Sequence, residues 1–195
     1  SIVSFHATKL FHCIEGGAVV FKHKDDFEKA ENMINFGINS SSGEISHSGT
    51  NGKMSEAHAA MGLAMLDDID QILERRHEHF YLYKTLLGDK VIYQDWHPEA
   101  TQNAAYFPVI FESKAQCSKV FKHLEENGIQ TRRYFSPSLN EIEHLTAANH
   151  TACPLSESLA TRTLCLPLFF DLTHKDINKL CTTLISALNG NIEIE

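Results

Sequence analysis

From Ser55 to Gly88, apolar residues recur at Ala59, Leu63, Leu66, Ile69, Leu73, Phe80, Tyr83 and Leu87, mostly three or four apart. That spacing places side chains on one face of an α-helix. Ser55 offers a capping hydroxyl at the start, and Gly88 offers the residue that best takes a left-handed conformation at the end. At 3.6 residues per turn the run covers about nine turns. Globular helices usually span about 8–20 residues, so the pattern predicts one long helix that bridges two layers or two domains.

The segments on either side differ in rhythm. Upstream, Gly16-Gly17 followed by AVVFK predicts a turn into a short β-branched strand, and Asp25-Asp26 opens a helix running toward Gly37. Ile38 to Gly52 carries five serines and three glycines without periodicity, which predicts an exposed loop of the kind that often carries function. Downstream, AAYFPVIFE reads as a strand, Lys114 to Asn127 as a helix, and Gly128 with IQTRRYF as a second strand. Ser136 to Ala152 is irregular, Ser156 toward Leu164 reads as a helix, CLPLFF as a strand and Lys175 to Leu188 as a terminal helix. The expected division lies between Gly88 and Thr101. Residues 1–88 then hold the end of one domain with the long helix, and residues 89–195 form a small α+β domain.

Composition removes several function classes. The formal charge of −8 comes with no basic run longer than Arg75-Arg76 or Arg132-Arg133, which argues against nucleic-acid binding. No stretch reaches the roughly 20 apolar residues of a membrane helix, and the start SIVSFHATKL lacks signal-peptide regions. The five cysteines are odd in number, widely spaced and without a C-x-x-C pair, so they are expected to be reduced, cytosolic and mostly buried. Among the twelve histidines, His77 and His79 stand two apart on the long helix and should point to different faces. His144 and His150 fall in an irregular stretch with no cysteine or carboxylate in ligand register, so no metal is expected. No G-x-S-x-G or Walker sequence is present.

The first residues carry the chemistry. Ser4-Phe5-His6-Ala7-Thr8-Lys9, with Glu15-Gly16-Gly17 six residues further on, resembles the S-F-H-A-[ST]-K…G-G signature of the DegT/DnrJ/EryC1/StrS aminotransferases. Alone, Lys9 would read as a solvated surface amine; the surrounding hexapeptide reverses that reading. The resemblance implies that Lys9 forms the internal Schiff base with pyridoxal phosphate and, once displaced, moves a proton as general base and acid. It also implies that the Ser4 hydroxyl binds the cofactor phosphate, although a serine here also serves a turn. His6 matches the motif as a substrate-side residue, while a histidine beside a strand also occurs as a hydrogen-bonded core residue.

Two further segments extend the likeness. Gly49-Thr50-Asn51-Gly52-Lys53-Met54-Ser55-Glu56, continuing into AHAAMGLAML, resembles the family's G-x-N-x-[KR]-[ML]-x-[DE]-x-x-A-A segment. In relatives this segment reaches the neighbouring subunit's cofactor phosphate, which makes Asn51 and Lys53 expected cofactor-binding residues and the protein an expected homodimer. A Gly-rich turn at a helix start supplies free N–H donors and positive dipole for such an anion. Arg132-Arg133-Tyr134-Phe135-Ser136-Pro137 resembles the family's R-x-Y-[FY]-x-P segment, placing Tyr134 near the substrate. A Tyr-Phe pair ending a strand before Pro137 also suits plain sheet packing.

The family resemblance implies an α/β fold: the end of a fold-type-I large domain, the long helix, and an α+β small domain. It implies transfer of an amino group from glutamate to a nucleotide-linked keto-deoxysugar, in the cytoplasm, for O-antigen or related lipopolysaccharide sugars. The YFSPSLN stretch points to dTDP-4-keto-6-deoxyglucose. Two alternatives stay open. One is a pyridoxal-phosphate-dependent sugar dehydratase of the same family, although those characteristically carry histidine where this chain has Lys9. The other is a non-catalytic fragment or subunit. Ile2 to Ser4 reads like the end of a strand with partners upstream, and the family's ring-binding residues precede the lysine motif. The chain therefore reads as N-terminally truncated, with negligible activity expected of it alone.

Overall fold

The computed structural model describes residues 1–146 and 151–190; His150 and the side chain of His144 lie outside the described residues. It falls into two compact units, Ser1–Asp70 and the part from Gln71 onward. The division thus falls inside the long helix rather than in the Gly88–Thr101 stretch after it.

In the first unit, β1 (Ile2–Ser4) pairs antiparallel with β2 (Gly17–Val19), with Ser4 opposite Gly17. The loop between them is folded back on itself. Phe5 N–H donates to the Gly16 carbonyl at 2.9 Å, Ala7 N–H to Ile14 at 2.7 Å and Cys13 N–H to Phe5 at 3.0 Å. Phe5 and Phe11 meet edge to face at 5.1 Å, and Cys13 is buried. Next comes α1 (Lys24–Ile34), with Asp25 and Asp26 in its first turn, where carboxylates favour the positive end of the helix dipole. It stops three residues short of Gly37. Asn35 and Asn51 then pair across the loop, as do Ile38 and Ile45.

The long helix is α2 (Glu56–Leu87). Ser55 Oγ accepts the His58 N–H at 3.3 Å, the bond that an N-cap makes to the third helical residue. At the other end Gly88 takes φ +52°, a left-handed conformation that would strain other residues.

In the second unit, β3 (Ile92–Tyr93), β4 (Phe107–Ile110) and β5 (Thr163–Leu166) form an antiparallel sheet in that order. Helices α3 (Lys114–Glu126) and α6 (His174–Asn189) pack against each other. Between β4 and β5 run α3, a 3-10 turn at Leu139–Glu141, α4 (Glu143–Thr146) and α5 (Pro154–Arg162). The core gathers Phe80, Tyr83 and Leu87 of α2, Phe107 and Val109 of β4, Val120 and Leu124 of α3, and Ile177 and Leu184 of α6. Tyr83 stacks on Phe107 at 4.8 Å, while Phe80 meets the same ring edge-on at 4.7 Å. Each such side chain contributes roughly 1.5–3 kcal/mol on burial.

Several expected elements shift. IQTRRYF does not form a strand: only Arg132 pairs, exchanging backbone bonds of 3.1 and 2.8 Å with Cys165. CLPLFF is a strand only through Leu166, because Pro167 has no N–H to continue a ladder. The helix expected from Ser156 starts at Pro154, a residue suited to a first turn. Among the described residues the architecture is mixed helix and sheet, and no helix is long and apolar enough to cross a membrane.

Candidate active site

The loop that joins β1 to β2 presents the first motif. Ser4 closes β1, and its Oγ accepts the His6 N–H at 3.4 Å, which leaves its own hydroxyl hydrogen free to donate. Thr8 N–H donates to His6 Nδ1 at 3.2 Å, and the Thr8 hydroxyl stands 2.9 Å from the same nitrogen. With Nδ1 accepting, the neutral ring carries its proton on Nε2. That nitrogen lies 3.6 Å from Glu15 Oε1. Lys9 N–H donates to the His6 carbonyl at 2.9 Å, a tight turn that leaves the Lys9 side chain exposed. Its ammonium has no hydrogen bond or ion pair among the described residues.

Gly16 ties this loop to the second motif. A Cβ there would stand 2.6 Å from Cys13 Sγ and 2.9 Å from Met54 Cε, so glycine lets the two segments approach without either side chain moving. Within the second motif, Asn51 pairs through its backbone with Asn35. Lys53 Nζ donates to Asn35 Oδ1 at 3.0 Å and sits 4.5 Å above the Phe36 ring. An exposed cation is thereby held at one place by an amide oxygen and an aromatic face.

The structure brings Ser4, His6 and Lys9 together on one loop and seats Asn51 and Lys53 on the segment that Gly16 touches. Tyr134 belongs to the second unit. Its ring stacks on Phe135 at 4.7 Å and meets Tyr106 edge-on at 5.6 Å. Burial pushes the Tyr106 hydroxyl above its ordinary pKa, with Tyr134 adding to the effect. Tyr134, Phe135 and Pro137 line one side of an apolar cavity of about 700 Å³, and Cys153, Pro154 and Leu159 line the other. Sequence reasoning missed that second wall. The sequence pattern starts that helix at Ser156, and nothing in it links Pro154 to Tyr134.

Residues 1–185 match the DegT/DnrJ/EryC1/StrS aminotransferase family. The chain belongs to that family. It is 33% identical over 189 residues to the dTDP-4-amino-4,6-dideoxy-D-glucose transaminase of Shigella dysenteriae, covering 94% of this chain and 51% of that protein. Among solved structures it superposes with a TM-score of 0.85 and 34% identity on DesI, crystallised in the presence of its TDP-sugar product, covering 97% of this chain and 50% of DesI. It shares its fold with the aminotransferase TlmJ from Streptoalloteichus hindustanus, at a TM-score of 0.88 and 21% identity, covering 98% of this chain and 52% of TlmJ. The chain thus spans about half the length of the relatives it matches.

The family's cofactor is pyridoxal phosphate, and the residues of this loop suit it. An amine that no neighbouring group engages is what an aldehyde needs, and a hydroxyl with a free hydrogen is what a phosphate oxygen needs. Lys53 and the N–H groups at the start of α2 are further donors to an anion.

Proposed function

We propose that the protein is a pyridoxal-phosphate-dependent aminotransferase that moves an amino group from glutamate to a nucleotide-linked keto-deoxysugar. The observation that carries this reading is the exposed, unengaged Lys9 amine inside the family's own segment. Support for the sugar comes from the Shigella relative's name: transamination run toward dTDP-4-amino-4,6-dideoxy-D-glucose starts from the 4-keto-6-deoxy sugar. Biosynthesis of cell-surface sugars in the cytoplasm is the setting that fits such a product.

When bound, the cofactor supplies an electron sink for the carbanion formed at the carbon bearing nitrogen. This chain's residues do the rest. Lys9 would hold the cofactor through its side-chain nitrogen, and once released the same amine would take the proton from the donor's Cα and supply one to the acceptor carbon. Ser4 would donate its hydroxyl hydrogen to the phosphate. His6, its Nδ1 held by Thr8, offers its ring to the substrate side of the loop. Tyr134 offers its ring to the sugar. Asn51 and Lys53 serve the phosphate of a second copy, in a homodimer that sedimentation equilibrium would read directly as twice the chain mass.

Covalent trapping tests the central assignment without requiring turnover. The full chain is incubated with the cofactor, reduced with borohydride and digested. The expected outcome is a cofactor adduct on the peptide holding Lys9, lost in Lys9→Ala while the far-ultraviolet spectrum is unchanged. Labelling that spares Lys9, or that persists unchanged in Lys9→Ala, would sink the proposal. Glutamate-dependent conversion of the cofactor to its amine form separates an aminotransferase from a dehydratase.

A further inference from the structure

His79 lies on α2 with 0% of its surface exposed, and neither ring nitrogen has a hydrogen-bond partner. The Phe169 carbonyl lies near enough to favour the charged ring slightly, without hydrogen-bond geometry. A buried imidazole that leaves both nitrogens unused is uncommon, because buried polar groups are normally satisfied. What stands beside it is a set of metal-ligating groups. Glu78 Oε1 is 2.6 Å from His174 Nε2, and one ligand atom from each of Glu78, His79 and His174 falls within 4.8 Å of the others.

We propose that Glu78, His79 and His174 form a binding site for one zinc-like divalent ion that ties α2 to the start of α6. The donor set decides the ion class. Two imidazole nitrogens and one carboxylate oxygen suit zinc and its neighbours, whereas calcium and magnesium take oxygen ligands and the soft ions take thiolates. Three protein ligands leave the fourth tetrahedral position for water. Bonds of about 2.0–2.2 Å put tetrahedral ligand atoms roughly 3.4 Å apart, so the close pair opens slightly and His79 closes in.

The surroundings prepare each ligand. His174 is the first residue of α6, and the capping box of Thr173 with Asp176 fixes that end of the helix. Arg75 Nη1 donates to Glu78 Oε2 at 2.7 Å, which leaves Oε1 facing His174. The same bond holds the Glu78 carboxyl below its ordinary pKa and so ionised. Burial, and then the nearby Arg75, holds the His79 imidazole below its ordinary value, in the neutral form that binds metal. Neighbouring His77 is not a ligand, because its Nε2 meets the Gln102 carbonyl at 2.8 Å.

The test uses the full chain, stripped of metal with a chelator and titrated with zinc against a chromophoric competitor. One ion per chain in the micromolar range or tighter is expected. His174→Ala and Glu78→Gln change exposed side chains, and each should weaken binding by at least about tenfold, the scale on which even indirect metal partners act. His77→Ala should leave it unchanged and reports background from other histidines. Zinc should also raise the melting temperature of the unaltered chain and not of His174→Ala. Absence of a tight site in the unaltered chain, or a smaller loss in either variant whose circular dichroism is native, overturns the proposal.

Discussion

Of the five cysteines, Cys13, Cys117, Cys165 and Cys181 are buried and Cys153 is exposed. Burial pushes the Cys165 thiol up to about 11, opposed by a backbone hydrogen bond from Tyr134, and the Cys181 thiol up to about 12. A thiol must be reached by reagent and reacts as its thiolate, so alkylation of the native chain at pH 8 is expected to label exposed Cys153 and spare the four buried cysteines. Peptide mapping by mass spectrometry reads this, and rapid labelling of Cys165 or Cys181 would contradict it. The same shifts carry a sign for stability. Both native thiols hold their protons to higher pH than the unfolded ones, near 8.5. Their contribution is thus fully present below that value and is lost as pH rises toward about 11 and about 12. Urea midpoints should fall between pH 8.5 and 10, and replacing Cys181 with Ala should flatten that slope.

At the scale of elements, the stretch between α1 and α2 is held by two glycines packed backbone to backbone. A Cβ on Gly49 would stand 2.1 Å from the Gly37 nitrogen and 2.7 Å from the Met33 carbonyl oxygen, and Gly37 itself takes φ +79°. Nothing there is a flexible side chain able to move aside. Gly49→Ala is therefore expected to cost more than about 1 kcal/mol, which a thermal or urea melt measures, and to loosen the segment bearing Asn51 and Lys53. Gly43→Ala, at a φ of +73° with open space around it, controls for backbone preference alone. A loss no greater at Gly49 than at Gly43 would show that the close approach is unimportant. The sequence announced this segment only as a loop, because serine and glycine content reveals turn tendency and not which backbones meet. Helix α2 was far easier to read, since its period and both caps are local signals. Strand β3, at two residues, is too short to show a period, and Arg132 pairs with Cys165 through backbone atoms that side-chain patterns do not report. Site residues divide the same way. The proposed residues Ser4, His6 and Lys9 fall within six consecutive positions, where a motif can be read, whereas Glu78 and His174 are 96 residues apart and meet only through folding.

Over the whole molecule the two compact units differ in how much apolar surface they bury. The second has a continuous core running through α2, β4, α3, β5 and α6, with Val109, Val120, Leu164, Ile177 and Leu184 fully enclosed. In the first, among the described residues, Cys13 is the only hydrophobic side chain in that class, and Ile2, Val20, Ile45 and Leu63 are well exposed. Protection against hydrogen exchange follows the free energy of opening, which tracks buried contacts. Amides of β4, β5, α3 and α6 should therefore exchange more slowly than those of β1 and β2. Leu184→Ala removes a fully buried side chain and should cost about 2–5 kcal/mol. If the core of the second unit opens cooperatively, the protection lost in that variant spreads through α3, β4 and α6 together while the β1–β2 loop exchanges as before. Exchange of the full chain, read by mass spectrometry on peptides from each element, makes the comparison. Equal protection of β1 and β4, or a loss in Leu184→Ala confined to α6, would show that the second unit does not act as one cooperative core.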